Sequence, residues 1–229
     1  MTFLRAWIAS HAPRVAIWMV TLACLTAHSR RVEAQATPAS LEALLAAYKN
    51  MAGLEAEYVE HKYMSLLAQP LESHGHIYFA RPAYLLRKVD KPFASSVVIT
   101  DKEVRISDDQ GQKTIDLQSR ADVRPFVESL VWLLSGNAAA LQKAYSAQFV
   151  ADQNQQGWQL SLTPKGPPLS RIISRMQIKG EGLQVKSIEV HETSGDKSIM
   201  TIVAANPERS FSDEERTQLF GKGKSKSPQ

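Results

Sequence analysis

The residue types that carry chemistry are sparse in this chain of 229 residues. It contains no G-x-S-x-G, no H-E-x-x-H and no S-x-x-K leading into a helix. The carboxylate runs at residues 108–109 and 213–215 fall in polar stretches and predict solvated turns. Gly223-Lys224-Ser225 resembles the end of a phosphate loop, but no earlier glycine precedes it. The sequence therefore predicts no enzyme and no cofactor, with an enzyme of a cryptic class as the minor alternative.

Three histidines are the candidates for a metal site. His74 and His76 share one face of a predicted strand, and His61 lies on the far side of a predicted turn. If that turn is flanked evenly, His61 pairs near Phe79 and points to the other face, whereas a one-residue slip would reverse this. We therefore expect exposed or edge histidines and no bound metal.

The net charge of +4 suggests an anionic partner until its location is considered. Basic residues are in excess within residues 1–36 and again in the tail, where Lys222, Lys224 and Lys226 have no acidic neighbour. The body at 37–221 carries slightly more acids than bases. The sequence thus predicts no nucleic-acid partner, and a disordered basic tail at 222–229.

The N-terminus is typical of a secretory signal peptide. Arg5 and Arg14 precede an apolar run at 15–27, and Ala36 ends an A-x-A cleavage site. The run would span roughly 20 Å as a helix, which is short of the ~30 Å hydrocarbon core. We expect cleavage near Ala36 and export to the periplasm. An uncleaved anchor and lipidation at Cys24, the single cysteine, are the alternatives.

Periodicity predicts helix, meander, two helices and a second meander. Leu41, Leu44, Leu45 and Tyr48 recur at helical spacing in a helix at 38–52 that Ser40 caps and Gly53 closes. Helices are also predicted at 123–134 and 138–145, separated by Gly136 and Asn137. Strands are predicted at 54–67, 75–80, 84–89, 95–100, 103–107, 113–117, 147–151, 158–163, 172–178, 183–192 and 198–204.

The helix at 123–134 is apolar over more than half its circumference. One interpretation is a core helix covered on all sides. The other is a helix that lines a cavity between a sheet and a lid, which would suit an apolar ligand.

Several motifs in order resemble the LolA family of periplasmic carriers of outer-membrane lipoproteins. They are the strand at 75–80 that ends in Arg81-Pro82, then Lys91-Pro92, and then a strand that closes on Asp101. Segments at 54–58, 160–165 and 187–202 extend the resemblance over about residues 40–221. The segment 126–145 looks closer to a divergent LolA-like branch associated with RND-type lipid exporters.

The resemblance implies a mainly β fold with helices: a curved, incomplete antiparallel β-barrel closed by a helical lid around an apolar cavity. It also implies that Arg81 hydrogen-bonds the lid backbone and gates it; the alternative is an ordinary strand-end arginine. A departure is Arg87, where the family often has an aromatic residue. The predicted lipid-binding residues are Leu54, Tyr58, Ile77, Tyr78, Phe79, Leu85, Phe126, Leu130, Leu133 and Leu134. Of the first six, we expect some to face the cavity and others to pack against the helices outside.

The resemblance implies a monomeric carrier domain at 37–221 that takes acylated lipoproteins from an inner-membrane exporter to an outer-membrane acceptor. The alternatives are a carrier of another lipid or glycolipid that works with an RND-type exporter, and an envelope sensor of lipoproteins.

Overall fold

The computed structural model describes residues 37–119, 124–152 and 157–221, with the side chains of Phe126 and Val127 left aside. The predicted signal peptide at 1–36 and the predicted basic tail at 222–229 lie outside the described residues and stay predictions.

In the described part of the chain, eleven strands and four α-helices follow one another much as the periodicity predicts. The helices are α1 (Leu41–Asn50), α2 (Arg124–Leu134), α3 (Ala138–Ala144) and α4 (Asp213–Phe220), with a short 3-10 turn at Leu169–Arg171. The strands are β1 (Gly53–Tyr63), β2 (Leu71–Ala80), β3 (Tyr84–Lys91), β4 (Ser95–Ile99), β5 (Glu103–Asp108), β6 (Gly111–Asp116), β7 (Tyr145–Asp152), β8 (Gly157–Pro164), β9 (Ile173–Glu181), β10 (Gln184–Glu192) and β11 (Lys197–Asn206).

The strands form one antiparallel sheet in the order β6-β5-β4-β3-β2-β1-β11-β10-β9-β8-β7. Two meanders therefore meet where β1 pairs with β11. Strands β6 and β7 are the edges of the sheet, and no ladder joins them within the described residues. The sheet is an incomplete barrel, as the resemblance implied. Helices α2 and α3 are the connection that runs from one edge to the other.

Both faces of the sheet are apolar where β2, β3 and β4 lie side by side. On the inner face, which α2 covers, Phe79, Leu85 and Ile99 pack with Leu134. On the outer face, which α4 covers, Ala80, Leu86 and Val98 pack with Phe220. Adjacent residues of each strand belong to opposite faces, and this explains why these strands read as nearly continuous apolar runs.

Helix α1 begins as predicted but ends earlier. The Ser40 hydroxyl accepts a hydrogen bond from the Ala43 amide at 3.2 Å, which makes Ser40 the N-cap. The helix ends at Asn50 with Met51 as C-cap, so the prediction that Gly53 closes it was wrong. Gly53 instead begins β1, where a Cβ would lie 2.6 Å from the carbonyl oxygens of both Arg209 and Phe79.

The turn between α2 and α3 is pressed against α1. Gly136 has φ of +68°, a left-handed conformation that ends α2 as predicted. A Cβ at this position would lie 2.2 Å from the Leu45 carbonyl oxygen. Asn137 then caps α3, because its side chain accepts from the Ala140 amide at 3.1 Å. The three helices therefore pack as one group, which we call the helical lid (α1–α3).

Helix α4 contradicts the predicted polar turn at residues 213–215. Asp213, Glu214 and Glu215 form its first turn, and Ser212 and Glu215 make a reciprocal capping box. The ring of Phe220 packs 5.7 Å from that of Tyr84 on β3, so α4 is anchored on the outer face. By contrast, Asp109 lies in the turn between β5 and β6, as predicted, and Asp108 is the last residue of β5.

None of the described helices has the length and apolar character needed to cross a bilayer.

We predict that Gly136→Ala lowers the free energy of unfolding by about 3 kcal/mol. The added Cβ meets the backbone of α1, and alanine is strained at positive φ. Urea denaturation followed by circular dichroism measures the loss. Gly166→Ala is the matched control, because no atom lies within 4 Å of its added Cβ. A Gly136→Ala variant as stable as this control would contradict the close packing of α2 on α1.

Candidate functional site

An apolar cavity of about 40 Å³ lies between the helical lid and the inner face of the sheet. Residues from α1, α2, β1, β2, β10 and β11 surround it, and Gln184 is the one amide side chain among them. The lining residues are Tyr48, Met51, Leu54, Ala56, Ile77, Leu130, Leu133, Leu134, Leu183, Gln184, Val185, Ile188, Ile202, Ala205 and Pro207. The lining is therefore of the apolar kind that favours apolar groups by desolvation, and it offers few polar contacts.

Helix α2 joins two hydrophobic clusters across this cavity. Leu133 packs with α1, α3 and strands β7 to β9. Val131 and Leu134 pack with strands β1 to β5. Leu130 contacts both clusters. The cavity thus lies at the seam between the two meanders, where α2 packs against both clusters.

Five of the ten predicted lipid-binding residues line this cavity together. They are Leu54, Ile77, Leu130, Leu133 and Leu134. Three more, Tyr58, Phe79 and Leu85, are buried beside it on the inner face. The side chain of Phe126 lies outside the described part of the chain. The lipid-binding role of all these residues stays a prediction.

Tyr78 lies on the other side of the sheet and does not line the cavity, so it is one of the six that pack against a helix outside. Its ring makes an edge contact with Phe211 at 6.4 Å between centroids, and it packs in the outer cluster with α4. The physical reason is alternation along β2, because the neighbours Ile77 and Phe79 face inward.

Sequence reasoning missed the cavity residues that come from the second meander and from α1. Val185, Ile188 and Ile202 line the cavity from β10 and β11. Their strands were predicted, but alternation does not say which face is inward. Tyr48 and Met51 were assigned only to a helix, and no family motif pointed to them.

Arg81 connects the end of β2 to the end of α1. Its Nε donates to the Met51 carbonyl oxygen, and its Nη2 donates to the Tyr48 carbonyl oxygen. The Tyr48 carbonyl also accepts from the Met51 amide at 3.2 Å, and the last carbonyls of a helix carry partial negative charge. A guanidinium satisfies two of them at once through its planar fork. The geometry matches the contact that the resemblance implies, while the gating role stays a prediction.

A second arginine holds Arg81 from the outer face. Nη1 of Arg216 on α4 donates to the Arg81 carbonyl oxygen at 2.8 Å, and its Nε donates to the Phe211 carbonyl oxygen at 3.3 Å. Arg81 is therefore bound through its backbone to α4 and through its side chain to α1.

Arg87 forms an ion pair on the inner face, next to a buried tyrosine. Its guanidinium pairs with the Glu60 carboxylate and lies 5.2 Å from the centroid of the Tyr58 ring. The Tyr58 hydroxyl donates to the Lys88 carbonyl oxygen at 3.3 Å, and burial raises the pKa of Tyr58 to about 12. The arginine that departs from the family pattern is thus neutralised by Glu60.

The three candidate histidines share the outer face, which is the arrangement that a register slip at the turn allowed. His61 pairs with Glu72 rather than near Phe79. His61 and His74 both contact the Glu72 carboxylate, at 3.0 Å and 2.8 Å, whereas His76 contacts Asp90 at 2.7 Å. These hydrogen bonds, chiefly the one from His74, lower the pKa of Glu72.

A family model described as "Outer membrane lipoprotein carrier protein LolA-like" matches residues 33–219. The chain belongs to this LolA-like family. The match covers nearly the whole described region, including the lid, both meanders and α4, so the resemblance read from the sequence is confirmed. No curated protein matches the chain.

Solved structures similar to this LolA-like chain share little sequence with it. A DUF1329 family protein from Desulfovibrio piger is 11% identical, with a TM-score of 0.45, over 78% of this chain and 96% of that one. A LolA superfamily protein from Nitrosomonas europaea is 9% identical, with a TM-score of 0.43, over 76% and 96%. The Pseudomonas aeruginosa MucA/MucB complex contains a chain that is 13% identical, with a TM-score of 0.43, over 78% and 59%.

We predict that Arg81→Leu lowers the free energy of unfolding by about 2 kcal/mol, because two carbonyls at the end of α1 lose their charged donor. Arg81→Lys should give an intermediate loss, since an ammonium cannot reproduce the fork. Urea denaturation measures both.

The control is Arg171→Leu. Arg171 is exposed and its side chain makes no hydrogen bond or ion pair with the described residues, so we expect a change within about 0.5 kcal/mol. Equal stabilities of Arg81→Leu and Arg171→Leu would contradict the contribution assigned to the Arg81 contacts.

Proposed function

We propose that this LolA-like protein is a periplasmic carrier that shelters the acyl chains of lipoproteins under its helical lid and moves them from the inner to the outer membrane. The observation that carries the proposal is the apolar cavity between α2 and the inner face of the sheet. Membership of the lipoprotein-carrier family supports the choice of cargo. An inner-membrane exporter would load the carrier, and an outer-membrane acceptor would unload it.

Loading requires the lid to move. The cavity of about 40 Å³ is far below the roughly 150 Å³ that a benzene-sized guest occupies in an engineered protein cavity. The lid is held to the sheet by side-chain packing, together with the Arg81 bonds, whereas the strands are joined by continuous ladders. Displacement of α1 and α2 therefore opens the site while the sheet stays intact.

The energetics explain why a carrier benefits from the contacts of Arg81 with α1, which we call the latch. Burial of about 14 methylenes at ~0.8 kcal/mol each contributes up to ~11 kcal/mol before entropic costs. A ligand held that tightly would leave slowly. If opening breaks the contacts of Arg81 with α1, their loss offsets part of the binding energy and favours release.

Mass spectrometry of the material that copurifies with the full chain from a periplasmic extract tests the cargo. A triacylated protein supports the proposal. Free lipid or glycolipid without protein would instead assign the carrier to non-protein cargo. If nothing copurifies and a fluorescent acyl probe does not bind, the carrier function itself is wrong.

We predict that Arg81→Leu captures acylated cargo normally but delivers it about tenfold more slowly. Without the latch, the open, loaded state no longer competes with a stabilised closed state. Transfer of a labelled lipopeptide from donor to acceptor vesicles measures delivery, and retention of the probe on the protein measures capture.

Arg171→Leu again serves as the control, and Arg81→Lys guards against a variant that fails to fold. If folded Arg81→Leu and Arg81→Lys transfer cargo at the wild-type rate, Arg81 has no gating role.

A further inference from the structure

Tyr48 lines the apolar cavity and carries a buried hydroxyl. The residue is only 1% exposed and lines the cavity together with Leu54, Leu133 and Ile188. Its hydroxyl is buried and has no hydrogen-bond partner in the described part of the chain. A buried hydroxyl without a partner opposes folding, so phenylalanine would pack equally well at lower cost.

The two other fully buried tyrosines do have partners. The Tyr58 hydroxyl donates to the Lys88 carbonyl oxygen at 3.3 Å, and the Tyr145 hydroxyl bonds the Ser129 hydroxyl at 2.7 Å. Tyr145 belongs to the same hydrophobic cluster as Tyr48. The missing partner is therefore specific to the tyrosine that lines the cavity.

The free hydroxyl acts as a neutral hydrogen-bonding group. Burial raises the pKa of Tyr48 well above its usual range, so the phenol keeps its proton at physiological pH. A phenol O–H donates one hydrogen bond, and the cavity that Tyr48 lines is almost entirely apolar. A ligand made of hydrocarbon alone has no acceptor to offer the hydroxyl.

We propose that the Tyr48 hydroxyl donates a hydrogen bond to the carbonyl oxygen of the cargo's acyl linkage, so that the site selects ester- or amide-linked chains over plain alkyl chains. This inference rests on the proposed carrier function, which it deepens by naming the linkage that is recognised. The carbonyl is the acceptor nearest to an acyl chain in any ester- or amide-linked lipid, and it adds little bulk. A site that lacks a partner for a built-in donor discriminates strongly against ligands that cannot supply one.

The test compares two probes that share a glycerol headgroup and a chain of equal length. Monopalmitoyl glycerol carries an ester carbonyl, and hexadecyl glycerol ether does not. Displacement of a fluorescent acyl probe from the full chain measures both affinities. We expect the wild-type protein to bind the ester about tenfold more tightly than the ether, and Tyr48→Phe to bind the two within about twofold of each other.

Tyr145→Phe is the matched control, because it removes a buried hydroxyl that already has Ser129 as its partner. This variant should keep the wild-type preference for the ester. Thermal melts check folding, and Tyr48→Phe should melt no lower than the wild type.

The outcomes distinguish the proposed role of Tyr48 from the proposed carrier function. Equal binding of ester and ether by the wild type would overturn the role of Tyr48 and leave the carrier function standing. An unchanged ester preference in Tyr48→Phe would also overturn that role. Failure of every acyl probe to bind the wild type would contradict the carrier function itself.

Discussion

The fold depends on how the C-terminal end of α1 obtains its hydrogen bonds. The last carbonyls of a helix have no partner inside the helix, and the dipole concentrates negative charge there. Arg81 supplies donors to Tyr48 and Met51 from the end of β2. Because Arg216 holds the Arg81 backbone from α4, one residue connects the covers of both faces of the sheet. Loss of this contact would leave α1 attached by side-chain packing and by its chain connections.

An open sheet that is apolar on both faces must be covered twice, and the two covers differ. On the outer face, α4 seats Phe220 among Ala80, Leu86 and Val98 in a small cluster. On the inner face, α2 spans two clusters and leaves a cavity at the seam between them. Atoms around a void lose packing contacts on one side, so the inner core is held less tightly at this seam. A site that must admit a ligand is best placed where opening breaks the fewest contacts.

The sequence predicted the strands and inner helices well because their signals are local. Alternation and turn residues located the eleven strands, and Gly136 and Asn137 marked the break between α2 and α3. Helix α4 escaped because its interior, Asp213 to Gln218, is polar and its apolar anchors lie at or beyond its ends. The one available signal was Ser212 with Glu215, the spacing of a capping box.

The sequence could not decide which of the apolar residues of β2 face inward. The run Ile77, Tyr78 and Phe79 is apolar on both faces, and the helix that buries Tyr78 on the outer face, α4, was not predicted. Tyr48 could not be found for a different reason. A tyrosine at helical spacing predicts core packing, and a missing hydrogen-bond partner exists only in three dimensions.

In the proposed mechanism, Tyr48 couples the Arg81 latch to ligand binding. Its carbonyl oxygen accepts from Arg81, while its side chain lines the cavity. In the proposed carrier, a ligand that moves α1 to reach its site acts on the same residue that the latch holds. Linkage requires reciprocity: the factor by which a bound ligand weakens the Arg81 contact is the factor by which that contact weakens ligand affinity. The latch therefore tunes affinity without touching the ligand, which lets a carrier bind an acyl chain firmly enough to extract it and loosely enough to deliver it.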